Sequence, residues 1–165
     1  MGIKDIKIND KIAIQDTYGD RFRHCRGCGS DNDQGIKLKS YPSLDKKYCM
    51  VKYTPSNEFT GGVPHNLFGG IIAMIFDCHG TASAAFFKHN DLGKVLDERT
   101  IIGRFITARL EIDFKAPAPM GSELTVVSKA SEIGERKVIV DMDMYADDKL
   151  RAQARIIAVS VKDNM

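Results

Sequence analysis

Tryptophan is absent from the chain, proline occurs only five times, and neither charge dominates: 24 Lys plus Arg against 22 Asp plus Glu leave a formal +2 over 165 residues. So small a surplus gives no electrostatic footprint for nucleic acid, and none is expected as a partner. No secretory leader is expected, because Met1 to Lys11 alternates isoleucine with Lys, Asp and Asn instead of joining a cationic start to an apolar run. The expected location is the cytoplasm. Nor is there an uninterrupted apolar stretch of the ~20 residues a bilayer crossing needs. The longest candidate, after Gly69, meets Asp77 and His79 first, so it reads as a buried helix with no membrane partner. Cysteine is sparse, at positions 25, 28, 49 and 78, and four free thiols are the expectation for a reducing compartment. Cys25 and Cys28 have half of a zinc-knuckle spacing, but no second pair follows at a matching interval. The expectation is therefore no metal and no cofactor, with Cys78 a core residue.

What is present is one long apolar stretch and a series of strands. Gly69 to about Lys88 reads as a helix closed by Asn90 and Gly93. Ahead of it, Ile36–Tyr41 and Lys47–Thr54 read as a strand pair joined by Pro42-Ser-Leu-Asp45. After Gly103, residues 106, 108, 110, 112 and 114 are apolar and alternate with Thr107, Arg109, Glu111, Asp113 and Lys115, the pattern of a sheet with one buried face. Glu123–Ala130, Lys137–Ala146 and Leu150–Val161 follow, with turns at Gly134-Glu135 and Asp147-Asp148. Short connections impose antiparallel pairing. The expectation is an α+β fold, one long central helix wrapped by a curved antiparallel sheet of five to six strands. At this length one domain is expected, residues 25–165, preceded by an arm over 1–24.

Three features carry chemistry. Gly69 and Gly70 leave backbone N–H groups approachable in the first helical turn, where the helix dipole adds positive potential, as a developing oxyanion requires. The same glycines also serve close packing. Asp77 is a carboxylate in an otherwise apolar helix, costly to bury unless it is paired or faces a cleft, and it is the candidate base. Escape to solvent or a bond to Thr81 one turn on would equally account for it. His65 and Asn66, in the loop before the helix, are placed to hold a substrate carbonyl or water, or to bond their own loop. His79 diverges from Asp77 by about 200° round the helix, and is either a second substrate contact or a satisfied core histidine. Eight residues separate Gly69 from Asp77, roughly 12 Å along a helix, too far for both to reach one carbonyl. If both act in one site, two subunits supply them, which predicts a homodimer with two composite sites.

The combined pattern resembles the hotdog-fold acyl-CoA thioesterases of the phenylacetate-pathway PaaI type. The similarity covers about residues 25 to 161. It rests on Cys25-Arg-Gly-Cys28-Gly29-Ser-Asp-Asn32-Asp-Gln-Gly35-Ile36, on Phe68-Gly69-Gly70 with Asp77 eight residues beyond the first glycine, on Thr107 to Pro117 with Gly121, and on the closing Ala146 to Ala152. The resemblance implies hydrolysis of acyl-CoA, with Asp77 as general base or nucleophile, Gly69 N–H polarising the thioester carbonyl from the other subunit, and Thr107 placing the water or the base. It implies a homodimer, with pairing of dimers a further option, and coenzyme A phosphates near Arg104, Arg109 or Lys115. Phe68 stands where the family pattern has His, and Gly62 near where it often has Asn, so Phe68, Gly70, His65, Asn66 and His79 are the candidate substrate contacts. A non-catalytic acyl-CoA-binding module and a hydratase or dehydratase on the same fold are the competing readings.

Overall fold

The structure is a computed structural model that describes residues 2–162. Its frame is a six-stranded antiparallel sheet around one helix. The strands are β1 (Ser40–Pro42), β2 (Cys49–Tyr53), β3 (Phe105–Phe114), β4 (Leu124–Ile133), β5 (Lys137–Ala146) and β6 (Lys149–Ser160), in the spatial order β1-β2-β4-β5-β6-β3. Helix α1 spans Gly69–Asp91 and packs against the sheet's inner face. This is the hotdog arrangement.

The inner face follows from period-two patterning. On β5, Val138, Val140, Met142 and Met144 are buried, and on β6 Ala152, Ala154, Ile156 and Ala158 are buried beside them. Alanine on β6 lets the helix approach closely. On its sheet-facing side α1 itself offers Gly80, where an added Cβ would stand 2.8 Å from Ile156 Cγ2 and 3.0 Å from Met142 Cε. Although α1 has the length and mean hydropathy of a bilayer-crossing helix, most of its apolar surface is buried by its own sheet.

Both ends of α1 are set locally. Phe68 is its N-cap, with extended backbone (φ −60°, ψ 126°) and no side-chain cap. At the other end Gly93 takes φ +72°, Gly93 N–H bonds the Asn90 carbonyl and Lys94 N–H bonds that of His89, a Schellman closure that carries the helix a turn past the expected Lys88. Asp147 and Asp148, both at positive φ, form the β5–β6 turn.

Two sequence expectations fail, each for a backbone reason. The strand expected over Ile36–Tyr41 begins only at Ser40, because Lys37 sits at φ +51° and Ile36 and Leu38 give their N–H groups to the Arg26 and Gly27 carbonyls instead. The strict alternation expected along β3 breaks at Ala108, where a bulge shifts the register between Thr107 and Arg109. Before it, Phe105 and Thr107 face the helix; after it, Leu110 and Ile112 do, and Ile106 turns outward. Within residues 1–24, Ala13, Ile14 and Tyr18 are buried in the core.

Candidate active site

The bulge decides which β3 side chains face α1. By switching faces at Ala108 it allows the strand to present Thr107 toward α1 without giving up the apolar contacts of Leu110 and Ile112 further along. The Thr107 hydroxyl donates to Asp77 Oδ1. Asp77 is half-buried, so its carboxylate has a protein partner on one side and remains accessible. The bond expected from Thr81 goes elsewhere, since that hydroxyl donates to the main-chain carbonyls of Asp77, at 3.1 Å, and Cys78.

The helix start lies two turns away. With no side-chain cap at Phe68, the first-turn amides of α1 keep the donor character and positive potential of an uncapped N-terminus. Two aromatic rings frame it. Phe114 stands 3.5 Å from where a Cβ on Gly69 would lie, and the Phe68 ring folds back over Gly70 so closely that any side chain there would collide with it. Both phenylalanines are more than half exposed, Phe68 at 54% and Phe114 at 57%. Together they make an apolar rim around the Gly69 amide.

The remaining candidates separate. His65 is exposed and Asn66 half-buried in the loop leading to α1. That loop is fixed by main-chain bonds: Met120 N–H to the His65 carbonyl (2.9 Å), Gly61 N–H to the Asn66 carbonyl (2.7 Å) and Leu67 N–H to the Ala118 carbonyl (2.8 Å). Both side chains therefore belong to the helix-start end of the molecule, with Gly69, and Asp77 with Thr107 form a second group further along α1. The substrate contact expected of His79 is corrected. Its ring is fully buried on another face of the helix, with Nδ1 2.8 Å from Ser40 Oγ, and burial lowers its pKa to about 3. It is a neutral core histidine. Arg104 is no surface phosphate ligand either, since its guanidinium lies 4.6 Å over the Tyr18 ring with Nη1 buried. Arg109 pairs with Glu111 and Lys115 with Asp113 on the exposed part of β3. Cys78, read from sequence as plain core, meets Cys25 and Cys28 sulfur to sulfur.

On the sheet edge, among the described residues, β3 pairs only with β6, leaving its outer side open over ten residues. Ile106 and Phe114 are exposed along it. An edge that long is an open template for another strand.

A family model described as the thioesterase-like superfamily matches residues 71–164. The chain belongs to that superfamily. A thioesterase superfamily protein from Shewanella loihica is 32% identical, with a TM-score of 0.64 over 88% of this chain and 100% of that one. The PaaI protein of the E. coli phenylacetic acid degradation operon shares the fold at 14% identity, TM-score 0.61, over 77% of this chain and 81% of its own. An acyl-coenzyme A thioesterase of Xenopus laevis, THEM4, is 26% identical over 114 residues, which is 69% of this chain and 44% of that protein. The chain thus spans less than half the length of that curated relative.

Proposed function

We propose that this protein hydrolyses acyl-coenzyme A thioesters at composite sites shared by two copies of the chain. The observation that carries the reading is the Thr107 hydroxyl on the Asp77 carboxylate. It orients a half-buried base by holding one of its oxygens. In the reaction a water oxygen attacks the thioester carbonyl carbon while Asp77 takes its proton. The oxyanion forms against the Gly69 N–H of the second subunit. The C–S bond then breaks, and the coenzyme A sulfur leaves with a proton returned from Asp77. Superfamily membership supports thioester cleavage, and the name of the Xenopus relative supports coenzyme A as the thiol.

The dimer reading rests on the ~12 Å of helix between Gly69 and Asp77 and on the open β3 edge. Pairing of those edges would set two α1 helices side by side, so that the first turn of one faces Asp77 of the other. Phe68 and Phe114, at the rim of the Gly69 amide, suit an apolar acyl group. Arg109 and Lys115 are the cations left for phosphates once Arg104 is set aside. The hydratase reading loses its histidine with the burial of His79.

One observation favours the non-catalytic alternative: Phe68 occupies the position before the glycines and covers Gly70. The test is thiol release from short, medium and aromatic acyl-CoAs by wild type and Asp77→Asn, with binding measured in parallel. Turnover in wild type, lost in Asp77→Asn with binding retained, supports hydrolysis. Binding without release from any substrate overturns it in favour of a binding module.

A further inference from the structure

Cys25 and Cys28 share one turn and Cys78 lies 53 residues beyond the first of them, yet the three sulfurs all lie within 4.8 Å of one another. Cys25 Sγ and Cys78 Sγ are 3.6 Å apart. With Zn–S bonds of about 2.3 Å, two corners of a tetrahedral zinc site stand about 3.8 Å apart. The Cys25–Cys78 separation is already that of one edge of such a tetrahedron, and the Cys28 sulfur lies within 4.8 Å of both. We propose that Cys25, Cys28 and Cys78 bind a zinc ion that ties the N-terminal segment to helix α1 beside Asp77.

The backbone around the cysteines is built for this. Gly29 N–H bonds the Cys25 carbonyl at 2.8 Å and Gly27 N–H points at Cys25 Sγ at 3.4 Å, so the turn directs an amide at the sulfur, a contact that favours thiolate. Gly29 packs against the Arg23 and Cys25 main chain with no room for a Cβ, and a Cβ on Gly27 would run into Cys78 Sγ. Gly27 is demanded by the closeness of this turn to α1, and Gly29 by the tightness of the turn itself. Leu38 N–H to the Gly27 carbonyl (3.0 Å) and Ile36 N–H to the Arg26 carbonyl (3.2 Å) clamp the turn from its other side. A free Cys-x-x-Cys loop would need none of this rigidity.

A second observation is independent of the sulfurs. Tyr18 Oη and Arg104 Nη1 are buried with no hydrogen-bond partner among the described residues. The Tyr18 hydroxyl is within electrostatic reach of all three cysteines, and Arg104 of Cys28. Orphaned donors beside a thiol cluster are costly if the sulfurs are neutral and useful if they are anionic. Three thiolates and Zn²⁺ carry one net negative charge, which Arg104 balances. Three protein ligands leave the fourth corner to a water, and Tyr18 and Arg104 are the groups that would orient it or the thiolates. Cys49 is buried elsewhere and is not part of the cluster.

Two features disfavour a disulfide as the purpose of the cluster: a disulfide uses two sulfurs and strands the third, and it gives Arg104 no charge to meet. The site is independent of the thioester reaction, so its test reads metal and not turnover. Protein purified under reducing conditions is assayed for zinc by mass spectrometry, and separately refolded with Co²⁺ as a spectroscopic probe. The expected result is one zinc per chain in wild type and in Cys49→Ser, and less than a tenth of that in Cys25→Ser, Cys28→Ser and Cys78→Ser. Cobalt should give sulfur-to-metal charge transfer and the strong visible bands of a tetrahedral site. Because a serine variant that unfolds also loses metal, the wild-type stoichiometry and cobalt spectrum stand as the primary readout. Wild type holding no zinc and giving no thiolate–cobalt band, or alkylation and mass analysis finding a disulfide among the three cysteines, overturns the proposal.

Discussion

Thr107 on strand β3 donates its hydroxyl to Asp77 on helix α1, thirty residues earlier in the chain. The bond exists because the Ala108 bulge turns Thr107 inward from a strand whose later residues would otherwise put it on the outer face. It joins the sheet edge to the helix at the carboxylate proposed as base.

Removing that hydroxyl should therefore be visible in turnover. Thr107→Val is expected to lower kcat about ten- to a hundredfold, the loss of one hydrogen bond to a charged group, and Thr107→Ser to restore most of it. Asp77→Asn should cost about 10²- to 10⁴-fold. Steady-state kinetics with unchanged circular dichroism is the check, and an unaffected Thr107→Val would remove Thr107 from the site.

Gly69 can be stripped of its N–H without breaking the helix. It is the first helical residue, where proline is tolerated, and Phe68 already has the extended backbone that a following proline requires. Gly69→Pro is expected to lose about 10²- to 10³-fold in kcat. Gly69→Ala, whose Cβ would meet Phe114 at an ordinary 3.5 Å, should stay near wild type. Mixing Gly69→Pro with Asp77→Asn after subunit exchange then separates one-chain from two-chain sites. Shared sites recover about a quarter of wild-type activity, because half the dimers are mixed and each of these has one intact site. Sites within a single chain recover none.

His79 makes stability depend on pH. Its folded pKa of about 3 lies below the unfolded value near 6.5, so the unfolded chain binds the extra proton between those limits. Stability contributed by the neutral ring is full above pH 6.5 and falls as the pH drops toward 3, at up to about 1.4 kcal/mol per unit. Urea midpoints measured from pH 7 to pH 4 should fall more steeply for wild type than for His79→Gln. Parallel slopes would show that the ring does not titrate with unfolding.

The tight helix–sheet contact at Gly80 gives a packing prediction. Gly80→Val forces methyl groups into Ile156 and Met142 and is expected to cost about 1–3 kcal/mol. Ile156→Ala in the same chain should recover part of that loss, a favourable coupling readable in a double-mutant cycle. Strict additivity would place the clash elsewhere.

Much of this architecture was legible in the sequence. Alternation along β5 and β6, the small residues of β6, the glycine stop at Gly93 and the isolated carboxylate of Asp77 each state a local preference that the fold obeys. Strand and helix periods are properties of neighbouring residues, so neighbouring residues reveal them.

Tertiary structure decided what depends on residues far apart. Period two cannot foresee a one-residue bulge, which reverses every side chain before it, so the inward turn of Thr107 and the outward turn of Ile106 are known only from pairing with β6. Helical angle separates His79 from Asp77 but does not say which face the sheet will bury; Ser40 and the β1–β2 end of the sheet decided that. No ligand spacing joins Cys78 to Cys25 and Cys28, because that spacing closes only when α1 docks on the Gly27 turn. The sequence by itself determined the helix, the strands and the candidate base. Which groups meet across the fold was left to packing, since contact between distant segments is a property of the whole chain and of no single stretch of it.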